Sequence, residues 1–538
     1  MSNYPKIALL LLLVGCQPNN ADTDKAQKVD QTTIAEHIET LASDAFMGRM
    51  PFTEGEEKTV NYLKSEFEKL GVSPGNGDSY FQEVPLVEIT GNPSEEMEIS
   101  GPNVDFDLEF LEDFVVLTKK PEESVSLEDS ELVFAGYGIV APEYDWNDYE
   151  GVDWTGKTAV VLVNDPGFAT KDSTLFKGNA MTYYGRWTYK YEEAARQGAA
   201  GVLIIHETAP ASYGWNVVQS SWTGPRLNLE SEAPVTEVEG WLSKEAANKV
   251  FEASNIENKD FNALALSQDF KPVPLGVTAS VEIDNAIERD VSHNVVGLIE
   301  GTDRKDEYII YSAHWDHLGI GRPVDGDSIY NGAIDNASGV AALLAIAEAF
   351  KKGPQPKRSI VFMAVTAEEQ GLLGSGYYAE NPIYPPEKTV ANINMDAFSS
   401  PGPMKDLTIT GYGHSEMDEY AEEVAENQGR YVIPDPEAEK GYFFRSDHFN
   451  FAKIGIPALY ASGSHEDFEH GVEFIQKKND EYREKHYHQP SDEYDPETTE
   501  LSGVRFDVQL MYEVGLKLAN VSDFPKWYDS SEFKAARD

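Results

Sequence analysis

The chain has 538 residues, 93 acidic against 43 basic side chains and a net charge of -50, a balance that argues against nucleic acid as a partner. Its length allows more than one domain and a large core, and its single cysteine, Cys16, excludes a disulfide framework. So acidic a surface keeps a protein soluble in salt but names no specific partner.

Lys6 is followed by an apolar run from Ile7 to Val14 and then by Gly15-Cys16. The run is too short to span a bilayer and reads as a secretory signal over residues 1–15. Leu13-Val14-Gly15-Cys16 resembles the lipobox of bacterial lipoproteins. That resemblance implies export across the inner membrane and acylation of Cys16, giving a lipid anchor and no span. Gln17 in place of aspartate implies the outer membrane, facing the periplasm or the cell surface. Residues 16–32 are polar, lack apolar periodicity and are expected to be a flexible tether.

Ile34, Ile38 and Leu41 recur at helical spacing, and a second amphipathic helix is expected over Thr59 to Leu70, closed by Gly71. The Met47-Gly48-Arg49 and Gly55-Glu56 turns are read as loop packing more than as substrate contacts. Short β-like runs such as Phe81 to Leu86 and Phe114 to Leu117 complete an N-terminal part over 33–126. Strand-like segments then follow at Val133 to Val140, Thr158 to Val163, Gly201 to Ile205 and Val235 to Val238, with helix candidates at Tyr191 to Gln197 and Leu242 to Ala253. This stretch, 127–275, has no metal-ligand spacing and is expected to be a smaller inserted α/β domain. Its aromatic tract, Tyr183 to Tyr189, could line a cleft or pack at an interface.

Asn294 to Ile299, Tyr308 to Ala313, Ile360 to Val365, Asn392 to Asp396 and Ile456 to Tyr460 read as buried strands. Val340 to Phe350, Met417 to Asn427 and Leu501 to Leu518 read as helices. Strand, helix, strand succession predicts an α/β fold, a mixed and mostly parallel sheet flanked by helices, with its main part over 276–525 and a tail over 526–538. In such sheets ligands collect beyond the carboxyl ends of the strands, where His314 and Glu368-Glu369 fall.

His314 and His488 supply imidazole, and Asp335, Glu369 and Asp396 supply carboxylates, with Asp335 able to bridge two ions. Nitrogen and oxygen donors without thiolate suit two zinc ions with open positions for water and substrate. Such a pair can polarise a carbonyl and activate a shared water, with no serine or cysteine nucleophile. Glu368, beside Glu369, is the candidate general base. Asp316, two residues after His314, is the candidate to hold the free imidazole N–H.

These segments resemble the bacterial leucyl-type zinc aminopeptidases, in the clan that also contains glutamate carboxypeptidase and the transferrin receptor. The likeness rests on His314-x-Asp316, Asp335-Asn336-Ala337-Ser338-Gly339, Glu368-Glu369, Met395-Asp396, Ser446-Asp447-His448 and Tyr487-His488-Gln489-Pro490-Ser491-Asp492. It implies that Asp335 bridges two zincs, with His314 and Asp396 on one ion and Glu369 and His488 on the other. It also implies that peptides are the substrates and that the N-terminal peptide bond is cleaved. The stretch with Gly136-Tyr137-Gly138 and Ala199-Ala200-Gly201-Val202 resembles the protease-associated domain that many members carry. The sequence departs from the family in a charged insertion before Tyr487-His488, so that His465, His470 and His486 compete with His488 for the ligand role. The rivals within the clan are a carboxypeptidase or dipeptidase, a glutaminyl cyclase and a non-catalytic binding protein. Only Arg445 lies near a motif to receive a substrate carboxylate, which favours the amine end. Side-chain preference and oligomeric state stay open.

Overall fold

The computed structural model describes residues 26–537 apart from 103, 255, 257–259 and 268. Cys16 and the signal segment lie outside the described residues. Helix α1 (Gln31–Leu41) starts on Asp30, whose carboxylate accepts from Thr32 N–H, and it buries Ile34, Ile38 and Leu41. Helix α2 (Glu54–Leu70) begins five residues before the expected Thr59. The reason is a cap: Thr53 Oγ1 accepts from Gly55 N–H and satisfies one of the first-turn donors.

The chain then passes through β1 (Phe81–Pro93), β2 (Phe114–Leu117), β3 (Ser124–Phe134), β4 (Lys157–Leu162), α3 (Trp187–Arg196), β5 (Gly201–Ile205), β6 (Val238–Leu242) and α4 (Lys244–Ala253). Strands β3, β4, β5 and β6 pair in parallel in that order, and β2 closes the row antiparallel to β6. Two local expectations fail here. The strand expected over Val133 to Val140 ends at Phe134, because Gly136 and Gly138 take φ of 55° and 64° while the Asp148 carboxylate accepts the N–H groups of Tyr137 and Ile139. That is a turn closed by a buried side chain, and its positive φ values suit glycine. The strand expected to end at Val238 begins there instead, and Ser243 divides it from α4 by accepting from Ala246 N–H.

Strand β7 (Val273–Ile299) is 27 residues long. Its first part pairs with β3, its middle with β1 and its last five residues antiparallel with β9. Both β3 and β7 run through the positions expected as domain boundaries, so paired strands join the two regions. Strand β8 (Arg304–His314), α5 (Ser338–Lys352), β9 (Arg358–Val365), α6 (Leu373–Glu380), β10 (Thr389–Asn394), α7 (Met417–Asn427), α8 (His448–Lys453), β11 (Ala458–Ser462), α9 (Val472–Lys485) and α10 (Ser502–Asn520) complete the elements used below. Strand β8 lies between β9 and β10, parallel to both, and β10 is parallel to β11. The fold is therefore the expected α/β one, a mostly parallel sheet with flanking helices.

Helix α5 packs against α1, α2, α10 and the sheet. It is buried nearly all round, which is why the span Ala333–Lys352 is apolar enough to cross a membrane yet is 89% buried here. The charged insertion folds into α9, a helix unannounced by apolar periodicity because only Ile475 of it is buried. The Tyr183 ring of the aromatic tract packs on Phe444 and Phe449 at α8, the interface role, while Trp187 and Thr188 of the same tract line a cavity together with Gln370 and Gly371.

Candidate metal centre

Three parallel strands deliver the site. His314 is the last residue of β8 and stands beside Val365, the last of β9; Glu368 and Glu369 follow β9, and Asp396 follows β10. Asp335 sits in the loop that turns into α5, and His488 in the loop after α9. Carboxyl ends of neighbouring parallel strands open on the same edge, so residues far apart in sequence meet there.

The two oxygens of Asp335 face opposite ways. Oδ1 lies 3.3 Å from His314 Nε2 and Oδ2 lies 3.2 Å from His488 Nε2. On the first side Asp396 Oδ1 is 3.2 Å from His314 Nε2; on the second, Glu369 Oε2 is 3.1 Å from His488 Nε2. Donor atoms of His314, Asp335 and Glu369 lie within 4.8 Å of one another, as do those of His314, Glu368 and Asp396. Two of the competing histidine rings are engaged elsewhere, His470 with Asp467 at 2.9 Å and His486 with Ser491 Oγ at 3.0 Å; of His465 the main-chain N–H donates to Asp406.

Each donor is held from behind. Ser446 Oγ donates to Asp396 Oδ2 at 2.5 Å and accepts from Asn394 Nδ2 at 2.7 Å. Asp492 accepts the N–H groups of Ile334 and Asp335, fixing the loop that carries Asp335. In that loop Gly332 has φ 55°, and a Cβ there would stand 2.6 Å from the His317 ring; a side chain would push the loop off its histidine neighbour. The Arg49 guanidinium, 1% exposed, donates to the carbonyls of Leu41 (2.7 Å), Trp315 (2.9 Å), Asn331 (2.6 Å) and Gly332 (2.9 Å). It staples the end of β8 to the Asp335 loop, which is a packing role with direct consequence for the site.

Asp316 acts differently from the expectation. The His314 Nδ1–H is met at 3.2 Å by the main-chain carbonyl of Asp316, whose carboxylate is 3.8 Å away. That carboxylate instead accepts the N–H groups of Glu368 at 3.0 Å and Glu369 at 3.3 Å. Two consecutive N–H groups at a strand end have no ladder partner, and a buried anion is the strongest acceptor available to them. Asp447 accepts from Ser375 Oγ at 2.6 Å, and His448 packs against Phe443 and Tyr460.

His317 was legible but unassigned. Its Nδ1 is 2.6 Å from Glu369 Oε1, and it stands in the same short motif as His314. Arg49 and Asp492 lay within a turn and a motif already singled out, but the main-chain groups they hold leave no trace in spacing.

Carboxylates dominate the charge of the centre. Burial alone would lower the His314 imidazole, but Glu368, Asp396 and Asp335 raise it well above the ordinary value. Burial likewise opposes the charged His488 ring, and Asp335 and Glu369 lift it to about 10. Burial favours neutral carboxyls, yet His314 and His488 hold Asp335 well below its usual range. Burial, with Asp396 and Glu369 nearby, pushes Glu368 well above its usual range against the pull of His314. His488 Nε2 is buried and has no hydrogen-bond partner, although carboxylate oxygens flank it. An orphaned imidazole nitrogen amid buried carboxylates fits divalent cations bound between them, and nitrogen and oxygen donors of this mixture suit zinc.

Residues 294–512 match the profile of peptidase family M28. The matched segment contains every candidate ligand named above. Aminopeptidase NAALADL1 of Mus musculus is 38% identical over 140 residues, 24% of this chain and 17% of that protein's length, so the match spans less than a fifth of the relative. "Probable leucine aminopeptidase 2" of Aspergillus fumigatus is 25% identical over 414 residues, 75% of this chain and 65% of that protein. Among solved structures, the aminopeptidase from Aneurinibacillus sp. strain AM-1 is 19% identical with a TM-score of 0.49, over 94% of this chain and 97% of that one. Over residues 294–512 the chain is thus similar to the M28 peptidases.

Proposed function

We propose that the chain is a di-zinc exopeptidase that removes the N-terminal residue of peptides. The observation that carries this reading is the opposed pair of imidazoles across Asp335, each with its own further carboxylate. His314 and Asp396 would hold one ion, His488 and Glu369 the other, with Asp335 shared. Zinc, when bound, supplies Lewis acidity toward a peptide carbonyl and acidifies water. Glu368 is the general base: its carboxylate takes a proton from the attacking water and returns it to the amide nitrogen as the C–N bond breaks and the amine leaves. Asp316 positions it by binding the Glu368 N–H.

The same reading includes the region around 127–275 as a protease-associated unit and Cys16 as the acylated anchor of an outer-membrane lipoprotein. Cys16→Ser should release the protein from membranes; membrane association unchanged in that variant, with acyl chains still attached, would refute the anchor. The central test pairs metal analysis with hydrolysis of peptides bearing free or blocked N-termini, with Glu368→Gln as control. Two zincs and cleavage of free N-termini alone support the aminopeptidase. Cleavage of blocked peptides from the carboxyl end would make it a carboxypeptidase, and bound metal without hydrolysis would reject both.

A further inference from the structure

The turn that carries the proposed base is strained, and one buried side chain ties its two ends together. It runs from Thr366, the first residue after β9, to Gly374 in α6. Ala367 and Leu372 within it take φ of 52° and 61°, where the Cβ of an L-residue crowds the backbone. Residues other than glycine persist in that region only where their surroundings over-determine the backbone. Main-chain bonds fold the turn on itself: Leu372 N–H donates to the Glu368 carbonyl at 2.9 Å, Leu373 N–H to Ala367 at 3.0 Å and Gly374 N–H to Thr366 at 2.9 Å.

Asn294 supplies what the turn cannot make for itself. Ladder pairing between β7 and β9 stops at Val295 opposite Ala364, so the Thr366 N–H falls outside it. The Asn294 side chain replaces the missing partner, because its Oδ1 accepts from Thr366 N–H at 3.0 Å while its Nδ2 donates to the Gly374 carbonyl at 2.9 Å. One amide thereby spans the turn from its first residue to its last. Its Nδ2 also meets Gln82 Oε1 at 3.0 Å, and Gln82 Nε2 donates to the Asn381 carbonyl beyond α6 at 2.9 Å. The approach is close, since a Cβ on Gly374 would stand 2.5 Å from Asn294 Oδ1.

A second support comes from α2. Ser292 Oγ donates to the Glu56 carboxylate at 2.8 Å, which uses its only proton, so across 2.6 Å the Thr366 hydroxyl is the donor to Ser292 Oγ. Ser292, Asn294 and Thr366 are fully buried and Glu56 is 6% exposed, so a bond lost here leaves a polar group away from water.

We propose that Asn294, backed by the chain from Glu56 through Ser292 to Thr366, is a positioning residue that holds this strained turn so that Glu368 stands where it can take the proton. This role rests on Glu368 being the general base of the exopeptidase reading. Among the described residues the Asn294 side chain bonds to Thr366, Gly374 and Gln82 alone, so it acts on the reaction through the turn. Without the clamp Ala367 and Leu372 can relax toward negative φ and carry the carboxylate off its line.

The test measures kcat, KM for Leu-Ala-amide and zinc content in the purified zinc-loaded protein and in Asn294→Ala and Thr366→Val, each alone and combined with Glu368→Gln. Asn294→Ala should keep two zincs and a KM within about two-fold, while kcat falls about 10- to 10²-fold, the loss that a base misplaced by about 1 Å brings. Thr366→Val, which keeps the shape and loses the hydroxyl, should lower kcat about three-fold. In the Glu368→Gln background either substitution should change the residual kcat by less than about two-fold, because the group being positioned is gone. A fall of equal size in that background, a fall matched by lost zinc, or kcat unchanged in both single variants overturns the positioning role and leaves the peptidase intact. Normal turnover in Glu368→Gln itself removes the base, and the positioning role with it. Should Asn294→Ala not fold, the Thr366→Val comparisons decide by themselves. If the unaltered protein hydrolyses no peptide, the exopeptidase reading fails, and amide hydrogen exchange judges the clamp separately. Faster exchange confined to 366–374 in the folded variant upholds the clamp, whereas unchanged exchange, or a rise spread over the chain, overturns it too.

Discussion

Arg49→Met tests whether the metal centre depends on a single buried cation outside it. Arg49 makes its four carbonyl contacts at 2.6 to 2.9 Å with no exposed atoms to speak of. A hydrogen bond from a charged donor contributes about 1.5–3 kcal/mol, so four would sum to about 6–12 kcal/mol if nothing relaxed. Methionine removes the charge together with the donors, and water can enter, so the net loss should fall near about 3–5 kcal/mol, the range for breaking a buried ionic network. Two effects then compete at the metals. Loss of a nearby positive charge would strengthen cation binding, since Arg49 feels the Asp492, Asp316, Asp335 and Glu369 carboxylates. Loosening the end of β8 from the Asp335 loop would weaken it by separating donors that now meet within 3.3 Å. The second should win, because a ligand displaced by an ångström loses most of its bond whereas a charge at the far side of the loop acts through a screened field. Arg49→Lys, which keeps the charge but lacks the fork, should be intermediate. The assay is urea unfolding of the metal-free protein together with zinc stoichiometry. Destabilisation under about 1 kcal/mol with two zincs retained would refute the stapling role.

Glu368→Gln should keep both zincs and lose about 10²- to 10⁴-fold in kcat, as expected for removal of a general base; near-normal turnover would reject the mechanism. Asp335→Ala should abolish tight zinc binding on both sides of the centre, read by metal analysis after dialysis, and two retained zincs would refute sharing. Stability should fall with pH through the Asp148 carboxyl, which burial pushes up to about 7 from 3.8. The folded state holds this proton more tightly than the unfolded one, so the contribution is full below about pH 4 and is lost as pH rises through about 7. Asp148→Asn should flatten that fall in urea-unfolding free energy, and an unchanged slope would remove Asp148 as its source.

The chemistry-bearing motifs were readable because each is compact: His314-x-Asp316 at a strand end, Asp335 before an apolar helix, the Glu368-Glu369 pair, Met395-Asp396. Alternating apolar runs between them announced parallel strands, and parallel strands bring their carboxyl ends together. Helix starts were less legible where a cap rather than periodicity set them, as at Thr53 and Ser243. Helix α9 was illegible because a helix on the surface, supported by pairs such as Lys485 with Glu481 at 3.5 Å, carries no apolar stripe.

Residue type and local spacing by themselves pointed to the α/β class, the candidate base and most of the candidate donors, because each is a property of a few consecutive residues; His488 was singled out from its neighbouring histidines by the family resemblance of the residues that follow it. Only the tertiary structure decided what lies behind and beside them. It gave Arg49 its carbonyls, gave the Asp316 carboxylate the N–H groups of the Glu368 loop and set His317 on Glu369. Those partners are main-chain groups or a residue 52 positions away, and neither leaves a periodic trace in the sequence. Their identity is fixed by which surfaces the packed strands and loops bring into contact.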